Sequence, residues 1–459
     1  WQTMAKVKVL LEVAGQDVPG GFESFQESAD SAFAVHPTMT SSMDRVAGMG
    51  VELDEPFLSI PMFSGPAPGS GLGPTALDAF SGFAASSTNP DLPAASVVVA
   101  AEVDPARLDD LRAREGVTVW ANSALTLFQN DEVLDLARSR AGLDCRPFRQ
   151  AVSLDVVRTM LGVRRAWDDG FRGQNIAVAI VDEGVNGIQY PVVDGFARPG
   201  AQQPGAAPIT SHGSMCAADI LIAAPSARLY DYPFLGIANS GGALAMFQAI
   251  LDHRRIDGTP HLTSNSYGFT GVPPIASFPE HEVHDINHPF TRKVREVVAS
   301  GAVCLFAAGN CGQNCPSGNC QPSGIGPGRS IHAANSIQEV ITVAAVNTRH
   351  ERIGYSSQGP GMFHPEKPDL AAYSHFFGNF GPGRPGGEAD SPFDNGTSAA
   401  TPVAAGVAAM LLSADPSMTP DQLRDAMLAG LHNVSGTDWD PGYGRGIVNA
   451  AASYSALKR

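Results

Sequence analysis

The sequence predicts an α/β protein: a parallel β-sheet flanked by helices on both faces, preceded by a small N-terminal α+β domain of ferredoxin-like type. Three observations carry this expectation. Short, near-continuous apolar runs recur along the second part of the chain: "NIAVAIVD" (175–182), "ARLYDYPF", "HLTSNSYG", "GAVCLFAAGN" and "VITVAAVN". Helical patterns such as "GGALAMFQAILDHRR" and "FTRKVREVVASG" fall between them, as the crossovers of a sheet buried on both faces require. The first part of the chain instead reads strand, helix, strand.

In order along the chain, "KVKVLLEV" (6–13) and "SVVVAAEV" (96–103) are strand-like. In "DPARLDDLRAREG", Asp104 stands as N-cap and Pro105 at the first helical position. Leu108 and Leu111 share one face, and Gly116 terminates the helix. "VTVWANSALTLF" follows as a third strand region, while residues 15–95 are rich in Gly, Pro and Ser and read as a long surface insertion. The charged helical patterns "DEVLDLARSR" and "SLDVVRTMLGVRRAW" suit a connector. The expected organisation is therefore a small domain over 1–130, a helical connector over 131–165 and a large domain over 166–459.

Composition excludes several function classes. The chain has 459 residues, 43% of them hydrophobic, and a mean hydropathy of −0.04, so core material is ample. No run approaches the roughly 18 apolar residues of a membrane span, and the N-terminus lacks a basic segment followed by an apolar stretch. No membrane partner is expected, and a cytoplasmic location follows unless a signal was removed from a secreted protein. A net charge of −16 and a pI of about 5.1, with no Lys/Arg cluster, argue against a nucleic-acid partner. The acidity reads as solubility through self-repulsion.

In parallel sheets, functional groups gather at the carboxyl ends of strands. Asp182 ends "IAVAIVD", His212 lies in "TSHGSMCAADILIAA", Asn310 ends "CLFAAGN" and Ser398 opens the Ala-rich run of "FDNGTSAATPVAAGVAAML". A serine hydroxyl becomes a nucleophile only when an imidazole takes its proton and a buried carboxylate holds that imidazole in the right tautomer. Taken singly, Ser398 fits a helix cap, His212 a core histidine and Asp182 a strand-end turn.

The motifs "AVAIVDEG", "SHGSMCAADI", "FAAGNCG" and "NGTSAATPVAAGVAAML", in this order, resemble the four signatures of subtilisin-like serine peptidases. Weaker echoes extend the resemblance to about 166–453. It implies a serine endopeptidase acting on peptide or protein substrates, with Asp182 as orienting acid, His212 as general base, Ser398 as nucleophile and Asn310 as oxyanion donor. It implies no metal or other cofactor for the chemistry, though structural calcium is frequent in the family. Substrate is expected to pair as an extended strand with Ser264, Asn265, Ser266, Tyr267 and Gly268 on one side, and with Gly236, Ser240 and Gly241 on the other. The N-terminal domain resembles the propeptides of the family, acting as an intramolecular inhibitor or folding chaperone. Two other readings stand beside this one: a dedicated processing peptidase that removes a leader from one precursor, and a non-catalytic peptide-binding scaffold.

Three positions depart from or extend the pattern. Glu183 replaces the usual Ser or Thr, and Met215 a second His. Cys216 resembles the free thiol near the catalytic His of proteinase K-like members, and is expected to be buried and inert. Cys311, Cys315 and Cys320 in "NCGQNCPSGNC" fit one disulfide plus a spare thiol, free thiols, or three zinc ligands.

Overall fold

The computed structural model describes residues 5–14, 46, 49, 51–54, 59–62, 96–128, 144–145, 151–198, 200–234, 238–387 and 391–458. Most of the predicted insertion, and the "DEVLDLARSR" part of the connector, lie outside the described residues.

The N-terminal domain is an antiparallel sheet. Strand β1 (Val7–Ala14) lies at its centre between β4 (Ser96–Val103) and β5 (Val117–Ala121), while β2 (Glu52–Leu53) and β3 (Ile60–Met62) pair with the outer side of β4. Asp104 caps the turn into the helix as predicted, accepting from Ala106 N at 2.9 Å, and the helix proper is one short segment, Leu108–Arg112. The alternation of β1 and β4 buries Val9, Leu11, Val13, Val97 and Val99, together with Leu111 of the helix, in a small core of their own.

Two short strands follow, β6 (Thr126–Leu127) and β7 (Val152–Ser153), and then the helix Leu154–Leu161, which ends on Gly162 in the left-handed region (φ 73°). The main sheet has seven strands: β8 (Ala177–Asp182), β9 (Val192–Gly195), β10 (Arg228–Pro233), β11 (Leu262–Asn265), β13 (Val303–Ala307), β14 (Ile341–Val346) and β15 (Leu370–Tyr373). They run in the order β15-β14-β13-β11-β8-β10-β9 and pair in parallel throughout. Two short strands stand outside it, β12 (Tyr267–Gly268) and β16 (Phe376–Phe377).

Odd and even positions of β8 separate two cores. Val178 and Ile180 face helices His212–Ala223 and Gly396–Ala414, whereas Ala177, Ala179 and Val181 face helices Ser240–Asp257 and Pro289–Ala299. The first pair of helices approaches closely because Gly406 has no side chain: a β-carbon there would lie 2.3 Å from the Ile220 carbonyl oxygen. Helix Gly396–Ala414 is long and apolar enough to cross a membrane by length and composition, contrary to the expectation from runs of apolar residues alone. It is nevertheless 94% buried inside the protein.

Among the described residues the cysteines form two disulfides, Cys311–Cys320 and Cys145–Cys315, leaving Cys216 and Cys304 free and buried. This replaces both the zinc reading and the spare thiol: the third cysteine of the loop is taken by Cys145, 170 positions away.

Candidate active site

Asp182 is the last residue of β8, fully buried, and its Oδ1 accepts from His212 Nδ1 at 2.8 Å and from Glu183 N at 2.8 Å. His212 is the first residue of its helix, behind the N-cap Ser211, whose hydroxyl donates to Gly184 O at 2.8 Å. Glu183 accepts from the His212 backbone N–H. The departure at 183 thus places a carboxylate on an otherwise orphaned amide of the first helical turn, where the helix dipole favours it.

Ser398 sits in the first turn of helix Gly396–Ala414 and is fully buried; its Oγ donates to Ser266 O at 3.3 Å. Pro402, inside the same helix, has no N–H for the carbonyl four residues earlier, which is that of Ser398. That carbonyl accepts from Ser266 Oγ at 3.2 Å instead, so the proline ties the start of the helix to the Ser266 edge. The Asn310 amide is oriented by Thr397: its Oδ1 accepts from Thr397 N and from Thr397 Oγ1, both at 2.9 Å. This leaves Nδ2 as a donor, and its acceptor is the carbonyl oxygen of Phe128, a residue of the N-terminal part of the chain.

Residues 124–128 run through the cleft as an extended strand. Strand β6 pairs antiparallel with β12, Leu127 opposite Tyr267 and Thr126 opposite Gly268. On the other side Ala124 bridges Asn239, and Leu125 N donates to Ala238 O at 2.8 Å. Phe128 N donates to Ser266 O at 3.0 Å, the same carbonyl that receives the Ser398 hydroxyl. The Phe128 ring is buried against glycines: a β-carbon on Gly268 would lie 2.6 Å from its Cζ, and one on Gly309 3.4 Å. A β-carbon on Gly396 would lie 2.2 Å from the Phe128 oxygen. Space for the ring therefore depends on Gly268 and space for the carbonyl on Gly396, while Gly309 only borders the ring.

Of the residues expected to bind substrate, Ser266, Tyr267 and Gly268 line this strand. Ser264 and Asn265 belong to β11, paired on both sides by β8 and β13 at the centre of the sheet, and form no free edge. Ser240 and Gly241 hold the corner just before the strand: Ser240 N donates to Ser123 O at 3.0 Å, and Gly241 N to Asn122 Oδ1 at 2.9 Å. Gly236 lies outside the described residues. Sequence reasoning missed Phe128, whose only signal was an aromatic residue ending an extended run before a charged connector.

Cys216 Sγ stands 3.8 Å from Asp182 Oδ2 and 3.7 Å from Ser398 O. Burial, then the charges of Asp182 and Asp219, push its thiol well up, which fits the inert role expected of it. Asp182, His212 and Cys216 form the one cluster of three metal-ligand side chains among the described residues. With a single carboxylate it does not fit the hard oxygen set that calcium requires. Two further buried carboxyls flank the site: Asp219 on the His212 helix and Asp394 just before the Ser398 helix. Asp394 accepts from Asn379 N at 2.6 Å and Phe380 N at 2.8 Å. Burial followed by the Asp394 charge pushes Asp219 well up, and burial pushes Asp394 up to about 6.

A parallel sheet between two helix pairs, with an acid at the end of one strand and a serine at the start of the central helix, defines a subtilisin-like α/β protein. The chain belongs to the subtilase family, a family of serine peptidases whose model matches residues 173–446. Serine protease AprX of Bacillus subtilis is 27% identical over 322 residues, covering 61% of this chain and 66% of that protein. Subtilisin E of the same organism is 28% identical over 305 residues, covering 62% and 67%. The chain thus spans about two thirds of the length of these relatives. The crystal structure of fervidolysin from Fervidobacterium pennivorans, a keratinolytic enzyme related to subtilisin, shares the fold with a TM-score of 0.59 at 17% identity, covering 99% of this chain and 62% of that one.

Proposed function

We propose that the chain is a serine endopeptidase in which Asp182, His212, Ser398 and Asn310 carry the chemistry, and that residues up to Phe128 form an intramolecular inhibitor lying in its own cleft. The observation that carries this is the Phe128 carbonyl: its oxygen takes the Asn310 Nδ2–H, and the Phe128 N–H shares the Ser266 carbonyl with the Ser398 hydroxyl. The bond so presented is Phe128–Gln129.

Asp182 holds His212 with Nδ1–H toward it, leaving Nε2 to take the Ser398 proton as Oγ bonds to the carbonyl carbon. Charge developing on the oxygen falls on the Asn310 amide. His212 then gives its proton to the departing Gln129 nitrogen as the C–N bond breaks, and water releases the acyl group by the same path in reverse. Main-chain pairing along 124–128 needs no particular side chain, whereas the glycine-lined space around the Phe128 ring favours a large apolar residue before the cut bond. That breadth supports a general endopeptidase over a processing peptidase with one precursor, and the paired Asp182 and His212 weigh against a scaffold without activity. Two disulfides support an oxidising compartment over the cytoplasm.

Intact-mass analysis tests the reading. The purified chain should resolve into fragments ending at Phe128 and starting at Gln129, while Ser398→Ala stays whole. Cleavage at another bond, or in the variant, rejects it. Peptide-library cleavage then separates general from dedicated specificity.

A further inference from the structure

Upstream of the cleft, the N-terminal domain is gripped by side chains in addition to two main-chain bonds, Ala121 N to Glu280 O at 3.3 Å and Ser240 N to Ser123 O at 3.0 Å. Glu282, fully buried, accepts from Ser123 N at 2.9 Å, Ser123 Oγ at 2.8 Å and Ser240 Oγ at 2.6 Å. Two histidines flank it, and both contact the same corner of the N-terminal domain. His281 Nε2 meets Ser123 Oγ at 3.0 Å, and His288 Nε2 meets Ala121 O at 2.9 Å. Because the Ser123 hydroxyl donates to Glu282, it receives from His281; because Ala121 offers a carbonyl, it too receives. Nε2 therefore carries the proton in both rings. Nδ1 takes Val283 N–H at 3.2 Å in His281 and Phe290 N–H at 3.3 Å in His288, and His281 Nδ1 also stands 3.2 Å from Glu282 Oε2.

We infer that Glu282, His281, His288 and Ser240 form a recognition site for the Ala121–Asn122–Ser123 corner that holds the N-terminal domain at neutral pH and releases it on acidification. This rests on the reading of that domain as the occupant of the cleft. A second proton on either ring must displace a backbone N–H from Nδ1, with Glu282 Oε2 as a competing acceptor for His281 and no carboxylate at Nδ1 of His288, and while docked each ring is clamped at its other nitrogen and cannot turn away. Undocking frees both rings to rotate into water and protonate. Burial accordingly pulls the imidazoles of His281 and His288 down, against the charge of Glu282.

The other charged groups around them do not reverse this. His281 also faces His284, and His288 faces Asp285 and Arg292, the latter paired with Glu12 at 2.6 Å. Glu280 is paired with Arg112 at 3.0 Å, and His332 is itself pulled down to about 4 by burial. Since the docked pKa values lie below the ordinary histidine value, the undocked state binds more protons. Docking is therefore at full strength above about pH 6.5 and weakens as pH falls below it.

The test uses the full chain carrying Ser398→Ala, which stays one chain whether or not the native protein cuts itself. Amide hydrogen exchange, corrected for intrinsic rates, is followed from pH 7.5 to 5.0 in peptides covering 117–123 and 238–247. The opening constant should rise about tenfold or more as pH falls. With His281→Gln and His288→Gln, which keep the side-chain donor without the titration, the rise should fall below about threefold. No rise in the parent, or an equal rise in the double variant, overturns the proposal. If the double variant loses protection in the main sheet at pH 7.5, His281→Gln alone is read instead, and an unchanged pH slope overturns the proposal. Peptides over 124–128 and 266–268 report separately on the cleft: exchange there at every pH rejects the occupancy of the cleft by Phe128, whatever the corner does.

Discussion

The same stretch of chain is held in two different ways only a few residues apart. From 124 to 128 the cleft grips main chain: strand pairing with Tyr267 and Gly268, a bridge to Asn239, and the Asn310 amide on a carbonyl. From 121 to 123 the surface adds a buried carboxylate, two imidazoles and a hydroxyl to the main-chain bonds at Ala121 N and Ser123 O. Any extended peptide can satisfy the first set of contacts, but only a chain bearing the Asn-Ser corner satisfies the second. On the proposed reading, a substrate would compete for the cleft without competing for the corner, and the N-terminal domain would keep a hold that substrate does not have.

Breaking the main-chain half should have the largest effects. Ser398→Ala should lower kcat by about 10⁶-fold, the size of loss seen when a triad serine is removed, as measured on a chromogenic peptide. Activity within tenfold of the parent would remove Ser398 from the chemistry. Asn310→Ala should cost about 10² to 10³ in kcat with little change in KM, because the amide acts on charge that exists only in the transition state. Gly268→Val should lower kcat/KM for peptides with Phe before the cut bond by at least about tenfold, and less for those with Ala, since the added carbons enter the space of the Phe128 ring. Equal losses on both peptides would show that Gly268 does not shape that pocket.

The smallest expected effect concerns the carboxyls behind the site. The native pKa values of Asp219 and Asp394 are raised, so the folded state binds protons that the unfolded chain has already released. Their contribution is present at acid pH and is lost as pH rises through the native values, about 6 for Asp394. Asp219→Asn, which mimics the protonated acid, should raise the melting temperature at pH 9 by roughly 3 °C more than at pH 5. A uniform shift would reject the titration.

Legibility in the sequence followed range. Asp182 ends a strand, His212 begins a helix, Ser398 lies in the first turn of a helix and Asn310 three residues past a strand, and the apolar runs locate those boundaries, so the four stood out as candidates before any contact was known. The parallel sheet was legible for the same reason. Ser264 and Asn265 were misjudged as an edge because a four-residue strand with sheet partners on both sides and a free one look alike in sequence. Glu282 and its histidines stand openly in "FPEHEVHDINH", but their meaning lies in Ser123 and Ala121, about 160 positions earlier. Cys145 and Cys315, 170 apart, failed for the same reason.

That disulfide governs what happens after the cut. Phe128 is bound at Asn310 and Cys145 at Cys315, so the sixteen residues 129–144 begin and end on one short stretch of the 310–320 loop. If Phe128–Gln129 is cut as proposed, the new amino group stays tethered beside the acyl-enzyme at an effective concentration in the millimolar range. It can attack the ester and remake the peptide bond in competition with water. Finality comes only when residues up to Phe128 depart and take the acyl carbon out of reach.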